Sequence, residues 1–126
     1  MKQIILAFLT CASLNALPIT EDYECALELS KTYQMPLALA FVGSDWAPPC
    51  DMLENGANLG NQCIFVKLDF PEVNRQGPRV IARNFALKEE FHVQTFPTVI
   101  LLSHEGEEIT RFGEASTSHL LSALIN

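Results

Sequence analysis

The chain has 126 residues, which suits one domain, and 48% of them are hydrophobic, which is enough for a real core and excludes a disordered composition. Fifteen acidic residues against 8 basic ones give a formal charge of −7. The Lys and Arg are scattered, so no positive patch of the kind that binds phosphate backbones is present, and nucleic acid is excluded as a partner.

The first sixteen residues differ from the rest. Lys2 is followed by the apolar run Ile4 to Leu9, then by mostly small or polar residues up to Ala16. A positive start, a short apolar stretch and a small residue at the cut form the pattern of a secretory signal. Residues 1–16 are therefore read as a signal peptide and 17–126 as the mature domain; a first buried strand or helix is the alternative. The apolar run falls short of the roughly 20 residues that span a bilayer, so no stable membrane insertion is expected once it is removed. Phe8-Leu9-Thr10 is a poor context for lipidation of Cys11. Removing Cys11 leaves Cys25, Cys50 and Cys63. An odd number in an oxidising compartment implies a free thiol or an intermolecular bond. Cys25 and Cys63 either pair with each other or serve as structural thiols, and spacing alone does not decide.

Glu21 to Tyr33 has the spacing of an amphipathic helix, with Thr20 placed to cap it and Tyr23, Ala26, Leu27 and Ser30 on one face. Gln34-Met35-Pro36 ends it, because a residue before proline is pushed out of the α region. Leu37 to Val42 is apolar without alternation, as in a strand buried on both faces. Gly43 to Pro49 is a turn and loop. A short helix is expected from Cys50 to about Asn58, with Pro48 and Pro49 at or before its first turn. Cys63 to Asp69 reads as a second strand and Pro71 to Pro78 as a loop. Val80 to Phe91 reads as a helix with Ile81, Phe85, Leu87 and Phe91 apolar. Thr98 to Leu102 and Glu107 to Phe112 are a third and fourth strand around the turn Ser103 to Gly106. Ser116 is placed to cap a last helix with Leu120, Leu121, Leu124 and Ile125 on its apolar stripe. This order predicts one α/β domain: a mixed central sheet with helices on both faces.

Three segments now carry a resemblance. Phe41 to Cys50, with Trp46-Ala47-Pro48-Pro49-Cys50 at its end, looks like the strand, loop and W-C-x-x-C motif of the thioredoxin superfamily. Val66-Lys67-Leu68-Asp69-Phe70-Pro71 is similar to the strand before the family's crossover. Asn84, Leu87 and Phe91, followed by Val93-Gln94-Thr95-Phe96-Pro97-Thr98, resemble the segment that leads into its cis-proline loop. The match runs over nearly all of the mature region and looks nearest to periplasmic disulfide reductases of the DsbH-like kind.

The resemblance implies a thioredoxin-like fold and thiol–disulfide exchange, with protein or peptide thiols and disulfides as partners, a membrane electron-donor protein as a further one, and the bacterial periplasm as location. It implies no cofactor. By the same resemblance Pro97 follows a cis bond, and Trp46, Ala47, Pro48, Pro49, Thr95, Phe96 and Pro97 border a groove for bound peptide. The departure is Ala47, which stands where the family has its first, nucleophilic cysteine. Cys50 is left as the single candidate catalytic thiol, without a partner inside the motif. The candidate strand positions for thioredoxin's single buried acid hold Ala40 and Phe41, and neither can move a proton. Two readings of Cys50 follow: a reactive monothiol, or a small buried hydrophobe. Two functions follow in turn: an oxidoreductase-family protein whose turnover is in doubt, or a non-catalytic peptide-binding module. A glutaredoxin-like monothiol enzyme is a third, without a clear glutathione-binding set. Asp45 reads as a solvated loop acid. Asp69 reads as a strand-end cap or as a buried acid near the loop. His92, His104 and His119 are not spaced with the cysteines as metal ligands, so no metal is expected.

Overall fold

A computed structural model describes residues 20–50 and 63–113. The chain runs through helix α1 (Tyr23–Tyr33), strands β1 (Leu37–Val42) and β2 (Ile64–Asp69), helix α2 (Pro78–Glu90), and strands β3 (Thr98–Leu102) and β4 (Glu108–Phe112). The signal segment, the helix expected from Cys50 to about Asn58 and the helix expected after Ser116 lie outside the described residues.

α1 begins at a different cap from the one predicted. Asp22 occupies the N-cap, and its carboxylate accepts from the Cys25 N–H at 2.9 Å. Such a cap contributes about 1 kcal/mol. Thr20 is instead drawn into the sheet, where it bridges Val66 in parallel and its hydroxyl accepts from the Asp22 N–H. The helix ends at Gln34 in the left-handed region, and buried Ser30 satisfies its hydroxyl on the Met35 carbonyl at 2.6 Å. α2 starts two residues earlier than predicted, with Pro78 in its first turn, where the missing N–H costs nothing.

The sheet order is β2-β1-β3-β4, with β1 parallel to β2 and antiparallel to β3, and β3 antiparallel to β4. The uniformly apolar β1 is therefore central, as its composition predicts. Its residues alternate in the usual period of two. Leu37, Leu39 and Phe41 face a core that includes Ala26 and Leu29 of α1 and Leu87 of α2. Ala38, Ala40 and Val42 face the other way, into a layer with Cys50, Cys63, Phe65, Val99 and Leu101. One residue of the predicted α2 stripe does not join the core: Phe85 is 52% exposed.

The pairing directions place the candidate site. Parallel pairing sets the end of β2 (Asp69) beside the end of β1 (Val42), and antiparallel pairing sets the start of β3 (Thr98) beside Phe41. Three loops leave or enter the sheet at this one edge: 43–50, 70–77 and 93–97.

Candidate active site

The loop after β1 turns tightly on Gly43, whose carbonyl accepts from the N–H groups of Trp46 (3.2 Å) and Ala47 (2.8 Å). The turn folds the Trp46 indole back over Gly43. A Cβ on Gly43 would lie 2.4 Å from Trp46 Cε2, inside any real contact, so only glycine fits under this ring. The indole N–H donates to the Phe70 carbonyl at 2.6 Å.

Acidic side chains tie the first loop to the second. Asp69 is a buried acid near the loop: its carboxylate accepts from the Ser44 N–H (2.9 Å) and the Ser44 hydroxyl (2.6 Å). Asp45 is more than a solvated loop acid. It is exposed, but its carboxylate accepts from the backbone N–H groups of Glu72 (2.9 Å), Val73 (2.8 Å) and Asn74 (3.2 Å). Those donors, Glu72 and Val73 first, hold its pKa below the ordinary carboxylate value. No hydropathy signal distinguishes such a clamp from a solvated acid, because its partners are backbone groups about 27 residues away.

The third loop approaches from β3. The Phe96–Pro97 peptide bond is cis. The Thr98 hydroxyl donates to the Thr95 carbonyl at 2.6 Å, closing the loop on itself. The Phe96 ring meets Trp46 edge-on, with centroids 5.3 Å apart and planes at 70°.

Of the candidate residues, Trp46 and Phe96 are thus in direct contact, with Thr95 and Pro97 adjoining. Pro48 and Pro49 are exposed, Ala47 and Phe96 are half-buried, and Pro97 is buried. Trp46 is 47% exposed, whereas Cys50 is only 7% exposed and lies in the apolar layer with Ala40 and Val99. Ala40, one of the two candidate positions for the buried acid that the resemblance implies, faces that same layer, and Phe41 faces the opposite one.

Cys63 is a free, buried thiol, so its pairing with Cys25, left open by spacing, does not occur. Burial pushes the Cys63 thiol up to about 12, which makes it a poor nucleophile. Cys63 precedes Ile64, which pairs with the first residue of β1, whereas the Cys50 loop leaves from the last. Among the described residues no group of three or more His, Cys, Asp and Glu could hold a metal, and no helix is long and apolar enough to cross a membrane.

No family model matches the chain. It is 35% identical over 100 residues to the thioredoxin-related protein DsbJ of Chlamydia pneumoniae, covering 73% of this chain and 29% of that one. It is 33% identical over 101 residues to the disulfide bond reductase DsbH of the same organism, covering 74% and 61%. The chain thus spans less than two thirds of the length of either curated relative. A solved DsbH oxidoreductase superposes with a TM-score of 0.74 at 27% identity, over 92% of this chain and 91% of that one. Thioredoxin O2 of Arabidopsis thaliana shares the fold at 15% identity, with a TM-score of 0.59 over 88% and 93% of the two chains. With these relatives and this sheet, the chain belongs to the thioredoxin superfamily and is DsbH-like within it.

Proposed function

We propose that this is an exported protein of a thiol–disulfide exchange system, with residues 1–16 as signal and 17–126 as the mature domain. It engages protein thiols or disulfides at the loops around Trp46, and the two-cysteine reductase cycle does not turn over on it. The observation that carries the proposal is Ala47, three residues before Cys50. In the two-cysteine cycle a first thiolate attacks a substrate disulfide, displacing one substrate thiolate and forming a mixed disulfide. A second thiolate then attacks that mixed disulfide, freeing the other substrate sulfur and leaving the enzyme oxidised. Alanine supplies no sulfur for the first attack. The chemistry left to Cys50 is a single exchange, in which its thiolate takes one sulfur of a disulfide and releases the other.

Peptide holding falls to Trp46, Ala47, Pro48, Pro49, Thr95, Phe96 and Pro97, which offer an aromatic rim beside the start of a strand. The bacterial periplasm is the proposed location, supported by the signal-like start. A membrane electron-donor protein is the proposed source of electrons if Cys50 cycles.

A second reading, a peptide-binding module without chemistry, is favoured by one contrast: Cys50 is buried while Trp46 is exposed. Incubating the reduced mature protein with glutathione disulfide and mapping adducts by mass separates the two. An adduct on Cys50, absent in Cys50→Ala, supports the monothiol. Absence of the adduct, together with partner-peptide binding that survives Cys50→Ala, supports the module.

A further inference from the structure

Behind Trp46, between the second loop and α2, lies a cavity of about 280 Å³ to which neither reading assigns a role. Its wall is a chain of four rings: Trp46 to Phe96 at 5.3 Å, Phe96 to Phe70 at 5.1 Å, and Phe70 to Phe85 at 5.2 Å with planes at 88°. The end rings, Trp46 and Phe85, are about half exposed, though both belong to large apolar residues. Exposed aromatics gathered on one concavity mark a binding surface more than scattered ones do.

The polar groups of the inner wall are already engaged within the protein. Asn84 donates to the Asp69 carbonyl at 3.0 Å and accepts from the Arg83 guanidinium at 2.8 Å. Both Asp69 oxygens accept from Ser44, and the Trp46 N–H is held by Phe70. The inner wall therefore favours an apolar occupant. Arg75 and Lys88 also line the cavity, and neither forms an ion pair among the described residues. In a chain of charge −7, two cations that form no ion pair among the described residues, set beside an aromatic wall, are a local exception. Glu72 lines the same cavity and opposes them in part.

Volume narrows the occupant further. An apolar cavity of about 150 Å³ accepts benzene, and pockets for drug-sized ligands begin near 300 Å³. Some 280 Å³ suits one ring with a short charged tail.

We propose that this cavity binds an aromatic carboxylate, with its ring among Trp46, Phe70, Phe85 and Phe96 and its carboxylate held by Lys88 and Arg75. Edge-to-face packing favours an aromatic ring over an aliphatic group of equal size, and a cation at the cavity wall favours a carboxylate over an amide. The cavity shares Trp46 and Phe96 with the proposed peptide rim and so adjoins it, but neither preference depends on Cys50.

The test is titration of the full chain with phenylpropionate, read by Trp46 emission, the only tryptophan signal in the protein, and by the indole and Asn84 side-chain N–H resonances. Saturable shifts at these groups are expected. Loss of the charge contacts in the double variant Arg75→Gln, Lys88→Gln weakens binding about tenfold or more, as does replacing the ligand carboxylate with an amide. Glu72→Gln strengthens it. Phe85→Ala weakens it, and because Phe85 is exposed its removal leaves the core intact. The peptide Gly-Gly-Phe with a free carboxylate separates the sources: tighter binding than phenylpropionate assigns a polypeptide C-terminus, weaker binding a small aromatic acid. No saturable shift, or equal binding of acid and amide, or an unchanged affinity in the double variant, overturns the proposal.

Discussion

Ser44 gives Asp69 two hydrogen bonds, one from its backbone at 2.9 Å and one from its hydroxyl at 2.6 Å, and so ties the Trp46 loop to the end of β2. Asp69 is only 8% exposed, so water replaces a lost donor poorly. Ser44→Ala should cost about 1–3 kcal/mol, the usual penalty when a buried polar group loses a partner. Urea unfolding checks this as a lower midpoint at unchanged slope.

Gly43 and Trp46 are coupled by contact. Gly43→Ala forces the indole off its seat, because the new Cβ would lie 2.4 Å from Trp46 Cε2. Overpacking of this kind costs about 1–3 kcal/mol. The expected signature is red-shifted Trp46 emission in the folded protein, together with a lower unfolding midpoint. An unchanged spectrum would show that the ring does not rest on Gly43.

Asp45 titrates below its ordinary value of 3.8 because the N–H groups of Glu72, Val73 and Asn74 stabilise its charged form. A folded value below the unfolded one stabilises the fold above the unfolded pKa, and that stabilisation disappears as pH falls through the folded value. The window lies below about pH 4. Stability measured from pH 6 down to pH 2 should fall less steeply in Asp45→Asn than in the wild type.

Cys63 behaves oppositely, because burial pushes its thiol up to about 12. A raised value favours the protonated thiol in the fold, so its contribution is complete below the unfolded pKa of about 8.5 and is lost as pH rises toward the folded value. Native protein treated with a thiol reagent near pH 8 should leave Cys63 unlabelled, and unfolding should expose it.

The fold was largely legible in the residues. The unbroken apolar run Leu37–Val42 identifies a strand buried on both faces, and it is the centre of the sheet. The resemblance around Trp46 and Pro97 identifies two segments that the topology brings into contact. Tertiary partners overrode local propensity at Thr20, a good cap by type that β2 recruits instead. They did so again at Phe85, which shares the apolar pattern of α2 but lines a cavity. Asp45 and the cations Arg75 and Lys88 were illegible for a common reason. An exposed charge looks the same in a sequence whether water or a distant backbone surrounds it.

On the proposed function, the missing sulfur at position 47 keeps the chain from turning over as a reductase. Comparing the wild type with Ala47→Cys in the catalysed reduction of a protein disulfide by a dithiol tests this. A cysteine there with its pKa lowered from about 8.5 toward 7 holds about tenfold more thiolate at neutral pH than an ordinary thiol. The wild type should stay at the uncatalysed rate, and Ala47→Cys should exceed it about tenfold or more. Wild-type turnover equal to that of Ala47→Cys would contradict the account.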